Sequence, residues 1–317
     1  MDARDEIPTP PAVPGLAWRS LQPADVAAIA ALAAACLAVD GGLLPGATDT
    51  YVQEHYLPAP PGASIGAFQV DGPPVACAAV QPTHTSKEYR ATIVGHVHPT
   101  YRRRGFGTFL LKWSIAEADR LLAICPADRP HVLQTITESL TEAGERFLER
   151  HGFTLHFAQD VMRRSLETPL PDTPLPCGIR LVAWAPALAG EFYAVHQAAF
   201  RERPGFPDWS LEEWVAWLRP DEDDFGPEMS LLAYCDNLPV GLIVCFDREI
   251  GQFGVRPEWR ERGIGSALLV EALRRFRAAG DDHVVVCVNV NNSRAARVYA
   301  RLGFEPVGQR GGYVRGS

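Results

Sequence analysis

The feature that most constrains this chain is a short glycine turn that joins an apolar run to a helical pattern. In the C-terminal half, Arg260-x-x-Gly263-x-Gly265 follows an apolar run at 243–253 and precedes apolar residues spaced three and four apart. Glycine allows backbone to approach another group closely, and the free N–H groups of a helix start form an anion site. Arg260 and Arg262 add positive charge. A single turn of this kind also fits an ordinary strand–turn–helix junction.

The same turn occurs a second time, as Arg102-x-x-Gly105-x-Gly107, about half the chain length upstream. Two copies at this spacing predict two similar domains, and 317 residues are enough for both. A proline-spaced stretch between the copies is typical of an extended, semi-rigid linker. We therefore predict a flexible tail at 1–14, an N-terminal domain at 15–166, a linker at 167–177 and a C-terminal domain at 178–317.

Each half repeats one order of predicted elements, in which a strand and two helices precede the strands that lead to the glycine turn. After the turn come a helix, a fifth strand, a further helix and a closing hairpin. The hairpins are predicted over 152–165 and 304–314. This order predicts the α/β (α+β) class, with a mixed, mostly antiparallel sheet flanked by helices in each domain.

A second motif follows the C-terminal turn and reads Asn292-x-x-Ala295-x-x-x-Tyr299-x-x-x-Gly303-Phe304. The two motifs, in this order and spacing, resemble the GCN5-related N-acetyltransferase (GNAT) family. The resemblance covers nearly the whole chain as two tandem copies. It implies that acetyl-CoA is the co-substrate and that the glycine turn holds its pyrophosphate. It also implies that Asn292 and Tyr299 lie beside the pantetheine and the sulfur.

The resemblance assigns cofactor contacts to the fourth strand, the glycine turn and the helix start of each copy. In the C-terminal copy, these residues and the motif asparagine are Phe253, Val255, Arg260, Arg262, Gly263, Ile264, Gly265, Ser266 and Asn292. In the N-terminal copy they are Val97, Arg102, Arg104, Gly105, Gly107 and Thr108. The backbone of Val255 is expected to hydrogen-bond pantetheine, and backbone N–H on this strand to meet the oxyanion.

Acyl transfer from a thioester to an amine needs a base for the amine and an acid for the departing thiolate. Tyr299 matches the acid of the family in type and spacing, and the alternative is a core tyrosine. Glu249, at the start of the fourth strand, is the candidate base that deprotonates the amine through water. The alternative for Glu249 is an ordinary turn residue after Asp247-Arg248.

The helix region before the fourth strand supplies the candidate acceptor contacts Asp208, Trp209 and Glu212. The two carboxylates suit a cationic substrate, and a solvated helix face is the alternative. Trp214 and Trp217 fit an apolar core stripe at i, i+3. Trp209, just outside the helix, is the tryptophan expected to face the ligand.

The N-terminal copy departs from the pattern where the chemistry is expected. Ala91 occupies the position of Glu249, and Leu148 that of Tyr299. Thr141 and Gly144 replace the asparagine and the alanine of the second motif. We therefore expect this copy to bind CoA without catalysing transfer. Thr137, Glu138 and Ser139 are the alternatives for a substituted acid or base.

The composition narrows the partners and the compartment. A net charge of −8 argues against a nucleic-acid partner, because phosphates require a basic face, and it suits a cationic amine. The seven cysteines are scattered without C-x-x-C spacing, which predicts reduced thiols in a cytoplasm and no metal site. The acidic, proline-rich N-terminus predicts no signal peptide, and no run is expected to span a membrane.

These observations favour an N-acetyltransferase that moves an acetyl group from acetyl-CoA to a primary amine of a small molecule. A narrower alternative within the family acetylates the amine of a large pseudodisaccharide thiol precursor. An alternative of another class is a non-catalytic acyl-CoA sensor or interaction protein. Tyr299 argues against the sensor, because a pure binder needs no acid beside the sulfur. An N-terminal acetyltransferase of proteins is the weakest alternative, since nothing marks a peptide groove.

Overall fold

The computed structural model describes residues 9–42, 47–57, 62–84, 88–202, 209–218 and 225–316. The chain forms two compact units. The N-terminal unit is Met1–Asp160 with Val307–Ser317, and the C-terminal unit is Val161–Pro306. The sequence predicts a division between residues 166 and 178, whereas in the structure the closing strand of each half passes into the other unit.

The N-terminal unit follows the predicted order of elements. Its sheet runs β1-β2-β3-β4-β5-β12, and all the pairs given for it are antiparallel except β4 with β5. Its strands are β1 (Leu16–Arg19), β2 (Ala63–Gln69), β3 (Pro74–His84), β4 (Tyr89–Val97), β5 (His131–Thr137) and the end of β12 (Glu305–Arg315). Its helices are α1 (Val26–Asp40), α2 (Asp49–Tyr56), α3 (Phe106–Ala123) and α4 (Glu142–Glu149).

The C-terminal unit repeats this arrangement. Strand β6 (Thr154–Ser165) neighbours the inner strand β11, and the sheet continues outward to β7. The strands are β7 (Ile179–Ala183), β8 (Leu231–Cys235), β9 (Leu238–Phe246), β10 (Glu249–Val255) and β11 (His283–Asn289). The helices are α5 (Ala189–Phe200), α6 (Leu211–Leu218), α7 (Ile264–Ala279) and α8 (Ser293–Arg301). The predicted fold class, a mixed and mostly antiparallel sheet flanked by helices in each copy, is confirmed.

The two predicted closing hairpins are wrong, because each is one long strand. β6 has 12 residues and β12 has 11. Gly311 and Gly312 have the composition of a turn, but the structure shows that Gly312 makes room for a neighbouring side chain. A Cβ added at Gly312 would lie 2.1 Å from the ring of Phe157, so only glycine leaves room for that aromatic side chain. β12 then pairs with β5 from Gly311↔Thr137 to Arg315↔Leu133.

Each unit has one apolar core on either face of its sheet, because side chains alternate along a strand. On β3, Ala76, Ala78 and Val80 belong to the core beneath α3, whereas Cys77 and Ala79 belong to the core beneath α1 and α2. In the C-terminal unit, the core beneath α7 and α8 is separate from the aromatic-rich core beneath α5 and α6.

One helical segment contradicts the expectation that no run resembles a membrane span. Pro23–Asp40, which contains α1, is long and apolar enough to cross a bilayer by length and composition. Its Ile29 and Ala33 are fully buried in the N-terminal unit. A core helix passes the same test, so the finding is weak support for a membrane span.

Candidate active site

The two glycine turns have the same backbone conformation. Gly105 and Gly263 have φ of 87° and 79°, in the left-handed region, and each is the residue before its helix. Two positions earlier, Arg103 and Glu261 are also left-handed, with φ of 63° and 65°. The residue before each helix is a glycine, so no side chain at that position caps the first-turn N–H groups of α3 or α7. Both turns therefore offer the backbone geometry of an anion site.

The second glycine of each turn differs between the copies. A Cβ added at Gly265 would lie 2.9 Å from Cζ of Phe253, so glycine is needed there for α7 to pack on β10. At Gly107 the nearest atom, in the Phe147 ring, would be 3.8 Å away, which is an ordinary contact. Gly265 and Phe253, both predicted cofactor residues, thus contact each other. The close approach that glycine permits at Gly265 is therefore to the Phe253 ring of the protein itself.

This difference predicts opposite effects of one substitution. Alanine within a helix is favoured over glycine by up to about 1 kcal/mol, so Gly107→Ala should stabilise the N-terminal unit slightly or leave it unchanged. Gly265→Ala should lower the free energy of unfolding by about 1–3 kcal/mol, because the added methyl group overpacks Phe253. Denaturant unfolding of both variants tests this, and equal changes would contradict it.

The first arginine of each turn holds the turn in place. Nε of Arg260 donates to the Val255 carbonyl (3.1 Å), and Nε of Arg102 donates to the Val97 carbonyl (3.2 Å). The rest of each guanidinium reaches the first helix of its half. Arg260 donates to the Ala199 carbonyl in α5, and Arg102 forms a bidentate pair with Asp40 in α1 at 2.6 and 2.7 Å. Both predicted phosphate contacts are therefore engaged within the protein, where they tie the turn to the sheet.

The arginine directly before the first glycine of each turn is exposed. The guanidinium of Arg262 lies 4.7 Å from the centre of the Trp259 ring, and that of Arg104 lies 5.2 Å from the Tyr101 ring. Cation–π contacts of this kind restrain a side chain and leave its charge accessible. Arg262 and Arg104 therefore remain the first-choice cationic partners for a phosphate.

Near the N-terminal turn, the structure adds cationic residues that sequence reasoning missed. Arg103, Arg146 and Arg150 line a cavity together with Ala143 and Glu149. Arg146 and Arg150 are four residues apart near the end of α4, and this i, i+4 spacing is the signal that could have pointed to them.

In the C-terminal copy, strands β10 and β11 separate where the family resemblance places the thioester. They pair at Glu249↔Val285 and Ile250↔Val286, and beyond these residues the described pairing of β10 is with β9. The register with β9 shifts between Ile250 and Gln252, as in a β-bulge. Backbone from Gly251 to Val255 therefore borders a gap between the strands. In the N-terminal copy, β4 pairs with β5 as far as Ile93, and its register with β3 is regular.

Glu249 and Tyr299 lie on opposite faces of β10. Glu249 is paired in register with Phe246, whose ring belongs to the core beneath α5 and α6. Tyr299 belongs to the core beneath α7 and α8, with its ring 6.0 Å from that of Phe253. The candidate base and the candidate acid are therefore on opposite sides of one strand.

Tyr299 is 5% exposed, so it is also a core residue, as the alternative from sequence holds. Its ring packs against Phe304 at 5.4 Å. Burial raises the pKa of Tyr299 well above its usual value, and Cys245 and Cys287 raise it further. The hydroxyl therefore stays protonated throughout the neutral range, as a proton donor to a thiolate must.

Asn292 has a structural role that the motif does not reveal by itself. Its side-chain oxygen accepts from the Ala295 N–H at 3.1 Å and so caps α8. Thr141 caps α4 in the same way, through the Gly144 N–H at 3.1 Å. The replacement of asparagine by threonine in the N-terminal copy thus retains the helix cap.

The N-terminal copy lacks an acid and a base at the matching positions, since Ala91 is buried there and Leu148 packs against the core. The alternatives from sequence are engaged elsewhere. Oε1 of Glu138 accepts from Arg310 (2.8 Å) and from the Tyr51 hydroxyl (3.3 Å). The Thr137 hydroxyl donates to the Ser139 carbonyl at 2.7 Å.

The predicted acceptor contacts fall into three situations. Asp208 lies outside the described residues. Glu212 is exposed at the start of α6, and the carbonyl of the half-buried Trp209 accepts from Tyr193 and Gln197.

The predicted core stripe is right for Trp214, which is fully buried, and wrong for Trp217, which is 40% exposed. Leu218 takes the core position instead, because residues four apart share a helix face.

The described part of the chain contains no group of three or more His, Cys, Asp or Glu that could hold a metal ion. All seven cysteines are free thiols.

Comparison with known proteins gives the class of this chain. Residues 191–304 match the profile of the acetyltransferase (GNAT) family, and residues 63–155 match that of an acetyltransferase (GNAT) domain. A GCN5-related N-acetyltransferase from Sphaerobacter thermophilus has a similar structure, with a TM-score of 0.77 at 27% identity over 96% of each chain. A tandem GNAT protein from the clavulanic acid biosynthesis pathway shares the fold, with a TM-score of 0.65 at 19% identity over 94% of this chain and 98% of its own.

Two curated relatives are mycothiol acetyltransferases. The protein of Thermobispora bispora is 32% identical over 220 residues, which cover 66% of this chain and 70% of that protein. The protein of Parafrankia sp. is 27% identical over 321 residues, which cover 91% and 94%. The chain belongs to the GCN5-related N-acetyltransferase family, as an acetyltransferase with two tandem domains. Its layout is similar to that of the mycothiol acetyltransferases.

Proposed function

We propose that the C-terminal unit transfers an acetyl group from acetyl-CoA to a primary amine of a small molecule. The observation that carries this proposal is the placement of Glu249 and Tyr299 on opposite faces of β10, where β10 leaves β11. A thioester in that gap would be open to an amine from one face and to an acid from the other.

The donor is held by backbone and by charge. The pyrophosphate lies at the start of α7, over the N–H groups of Ile264, Gly265 and Ser266, with Arg262 beside it. Pantetheine lies along β10 and hydrogen-bonds the backbone of Val255. Positioning of the two reactants supplies about 7–11 kcal/mol of the barrier when the reacting atoms are in line.

The chemical step then needs one side chain that accepts a proton and one that donates a proton. Glu249 removes a proton from the ammonium through water, and the neutral nitrogen attacks the thioester carbonyl. Backbone N–H of β10 stabilises the oxyanion. As the intermediate collapses, the C–S bond breaks and the Tyr299 hydroxyl protonates the thiolate. The nitrogen loses its second proton to water, and the Tyr299 oxygen regains a proton from water, which leaves the amide, free CoA and an intact Tyr299. The step uses groups of the C-terminal unit.

The N-terminal unit is proposed to bind CoA without transferring the acetyl group. Its turn has the same backbone as the C-terminal turn, and Arg103, Arg146 and Arg150 provide positive charge beside it. The absence of a tyrosine at Leu148 and of a carboxylate at Ala91 supports a role limited to binding.

A second candidate is acetylation of a thiol-precursor amine, as in mycothiol synthesis. The relatives that are mycothiol acetyltransferases favour it, and one of them matches 91% of this chain. The non-catalytic sensor is disfavoured by the buried, protonated Tyr299. The free thiols support a cytoplasmic location. The net charge of −8 supports a cationic substrate rather than nucleic acid or a membrane as the partner.

A panel of amines assayed by release of free CoA tests the proposal. The panel should contain simple amines, amino sugars and pseudodisaccharide amines, with Tyr299→Phe as the inactive control. Release from at least one amine that depends on Tyr299 is the expected result. A wild-type protein that binds acetyl-CoA and acetylates no amine would instead support the sensor.

The glycine turn provides a binding prediction. Gly263→Val should weaken acetyl-CoA binding at least about tenfold, because a branched side chain at φ of 79° is strained and blocks the approach of phosphate. Isothermal calorimetry measures the affinity, and Gly280→Val is the control, since Gly280 is left-handed (φ 99°) at the other end of α7. An unaltered affinity in Gly263→Val would remove the turn from the cofactor site.

A further inference from the structure

The proline-spaced stretch at 166–176, which we call the strap, is fastened at its start to the C-terminal unit. Leu166 is 2% exposed in the core beneath α7 and α8. Arg277, near the end of α7, donates to the Leu166 carbonyl at 2.7 Å and also to the Thr168 carbonyl. Arg164, which is 6% exposed, donates to the Thr168 hydroxyl. The sequence predicts a linker here, whereas the structure makes this stretch part of the C-terminal unit.

The strap then follows α7 from the end of that helix to its beginning. The carboxylate of Asp172 lies 4.0 Å from the guanidinium of Arg274, about one turn before Arg277. Pro176 lies beside Gly263, the residue that precedes the helix. Between its contacts with Arg277 and Gly263 the strap advances eight residues, which is about 25 Å for an extended, proline-rich chain. Over the same interval α7 rises about 21 Å, so the strap is long enough to run along the whole helix.

Pro176 brings the end of the strap against the C-terminal glycine turn. A Cβ added at Gly263 would lie 3.6 Å from Cγ of Pro176, which is van der Waals contact. The Pro176 carbonyl accepts from the Ile179 N–H at 3.0 Å, and this bond fixes the proline at the entry to β7. Arg260 ties the same turn to the Val255 carbonyl. The turn is therefore held by a guanidinium and by the strap.

The N-terminal copy enters its first strand in the same way but has no strap at its turn. The Leu16 N–H donates to the Val13 carbonyl at 3.1 Å, which matches the bond from Ile179 to Pro176. Val13 packs against the core beneath α3. Within the described part of the chain, no atom outside the chain neighbours of Gly105 lies within 4 Å of a Cβ added there. The two turns thus share one backbone conformation in different surroundings.

We propose that Pro176 is a positioning residue for the donor, because it holds the Gly263 turn in the conformation that binds the pyrophosphate of acetyl-CoA. The inference rests on the proposed function of the C-terminal unit and adds the stretch between the two halves to its donor site. Gly263 is left-handed, with φ of 79°, and glycine adopts many other conformations when nothing restrains it. A turn that is already ordered binds an anion at a lower cost in entropy.

Calorimetry with acetyl-CoA tests the proposal. Pro176→Gly should weaken the C-terminal site about three- to tenfold, because glycine frees the end of the strap. The C-terminal site is the one that Gly263→Val weakens. Pro176→Val keeps a bulky side chain and a stiff, extended backbone and should bind as the wild type does. Pro176→Ala should give a smaller loss than Pro176→Gly, which keeps the test valid if the glycine variant folds poorly.

Val13→Gly is the matched control, because Val13 has the place of Pro176 in the N-terminal copy without contact to its turn. It should leave the donor affinity of both sites unchanged. A second comparison uses S-acetylpantetheine, which has the thioester but no pyrophosphate. In Pro176→Gly, KM for acetyl-CoA should rise with kcat unchanged, and KM for S-acetylpantetheine should stay the same. Release of the free thiol measures both donors.

An unaltered acetyl-CoA affinity in Pro176→Gly would overturn the proposal. An equal rise in KM for both donors would also overturn it, since that result means a general loss of structure. These outcomes leave the proposed function standing as long as Gly263→Val weakens acetyl-CoA binding. Normal binding in Gly263→Val would instead show that the turn does not hold the donor, and the proposed function would then fail together with this inference.

Discussion

Replacement of Tyr299 by phenylalanine is expected to lower kcat by about 10²–10⁴-fold, the range of general acid catalysis, with little change in acetyl-CoA affinity. The change removes only the hydroxyl, so the contacts of the ring with Phe253 and Phe304 remain. Without the acid, the thiolate leaves unprotonated. Steady-state kinetics with saturating amine and a separate binding titration distinguish the two parameters.

Tyr313→Phe is the matched control for this variant. Tyr313 is also a buried tyrosine, 1% exposed, but it lies in the core of the N-terminal unit, and its hydroxyl has no hydrogen-bond partner in the described structure. Loss of an unpartnered buried hydroxyl should leave both stability and turnover nearly unchanged or improve stability. Equal turnover in Tyr299→Phe and Tyr313→Phe would exclude Tyr299 from the mechanism.

The raised pKa of Tyr299 also fixes the direction of the pH dependence. Since burial favours the neutral hydroxyl, the folded protein keeps this proton through the pH at which a free tyrosine ionises. The rate should therefore show no alkaline fall near the usual tyrosine pKa of about 10. A pH–rate profile that falls there, and does not fall in Tyr299→Phe, would contradict the assignment.

The second large effect concerns the exchanged strands. Tyr313→Ala should lower the free energy of unfolding of the N-terminal unit by about 3–5 kcal/mol, although the residue is near the end of the sequence. Tyr313 pairs with Thr135 of β5 and belongs to the core beneath α3. Amides of β5 should consequently lose protection from hydrogen exchange, whereas those of β11 should keep it.

Met162→Ala is the reciprocal experiment. Met162 precedes the linker in sequence, but it is 6% exposed in the core beneath α7 and α8. It should destabilise the C-terminal unit by about 2–5 kcal/mol and expose β11 while β5 stays protected. The assignment of the closing strands would be wrong if Tyr313→Ala exposed β11 and left β5 protected, and Met162→Ala exposed β5 and left β11 protected.

The sequence predicts much of the fold because local signals and the duplication agree. The turns at Gly105 and Gly263 require left-handed glycine, and a helix follows each in the structure. The closing strands are harder to predict, since Gly311 and Gly312 carry the composition of a turn but are there for close packing. Which β-strand another strand joins is a non-local property that composition cannot specify.

The candidate site shows the same limit at the level of side chains. The family resemblance makes Glu249 the candidate base and Tyr299 the candidate acid, but only the structure shows that they lie on opposite faces of β10. The motif also presents Arg102 as a phosphate contact, whereas the structure pairs it with Asp40, 62 residues away. Trp217 looks like a core residue at i, i+3 from Trp214, and the i, i+4 partner Leu218 occupies that place. The partner of Arg102 is distant in sequence, whereas strand register and helix phase, which the motifs do not specify, decide the other two cases.

The exchange of closing strands has a consequence for synthesis on the ribosome. The C-terminal unit, Val161–Pro306, is one continuous segment, whereas the N-terminal unit needs residues from Val307 onward. Domains usually complete their folding in the order in which they are made. Here the half that is translated first waits for residues that are made after the whole C-terminal unit, whereas the half proposed to be catalytic has all its residues earlier. Deletion of β12 would therefore disturb the N-terminal unit, although β12 follows the C-terminal unit in the sequence.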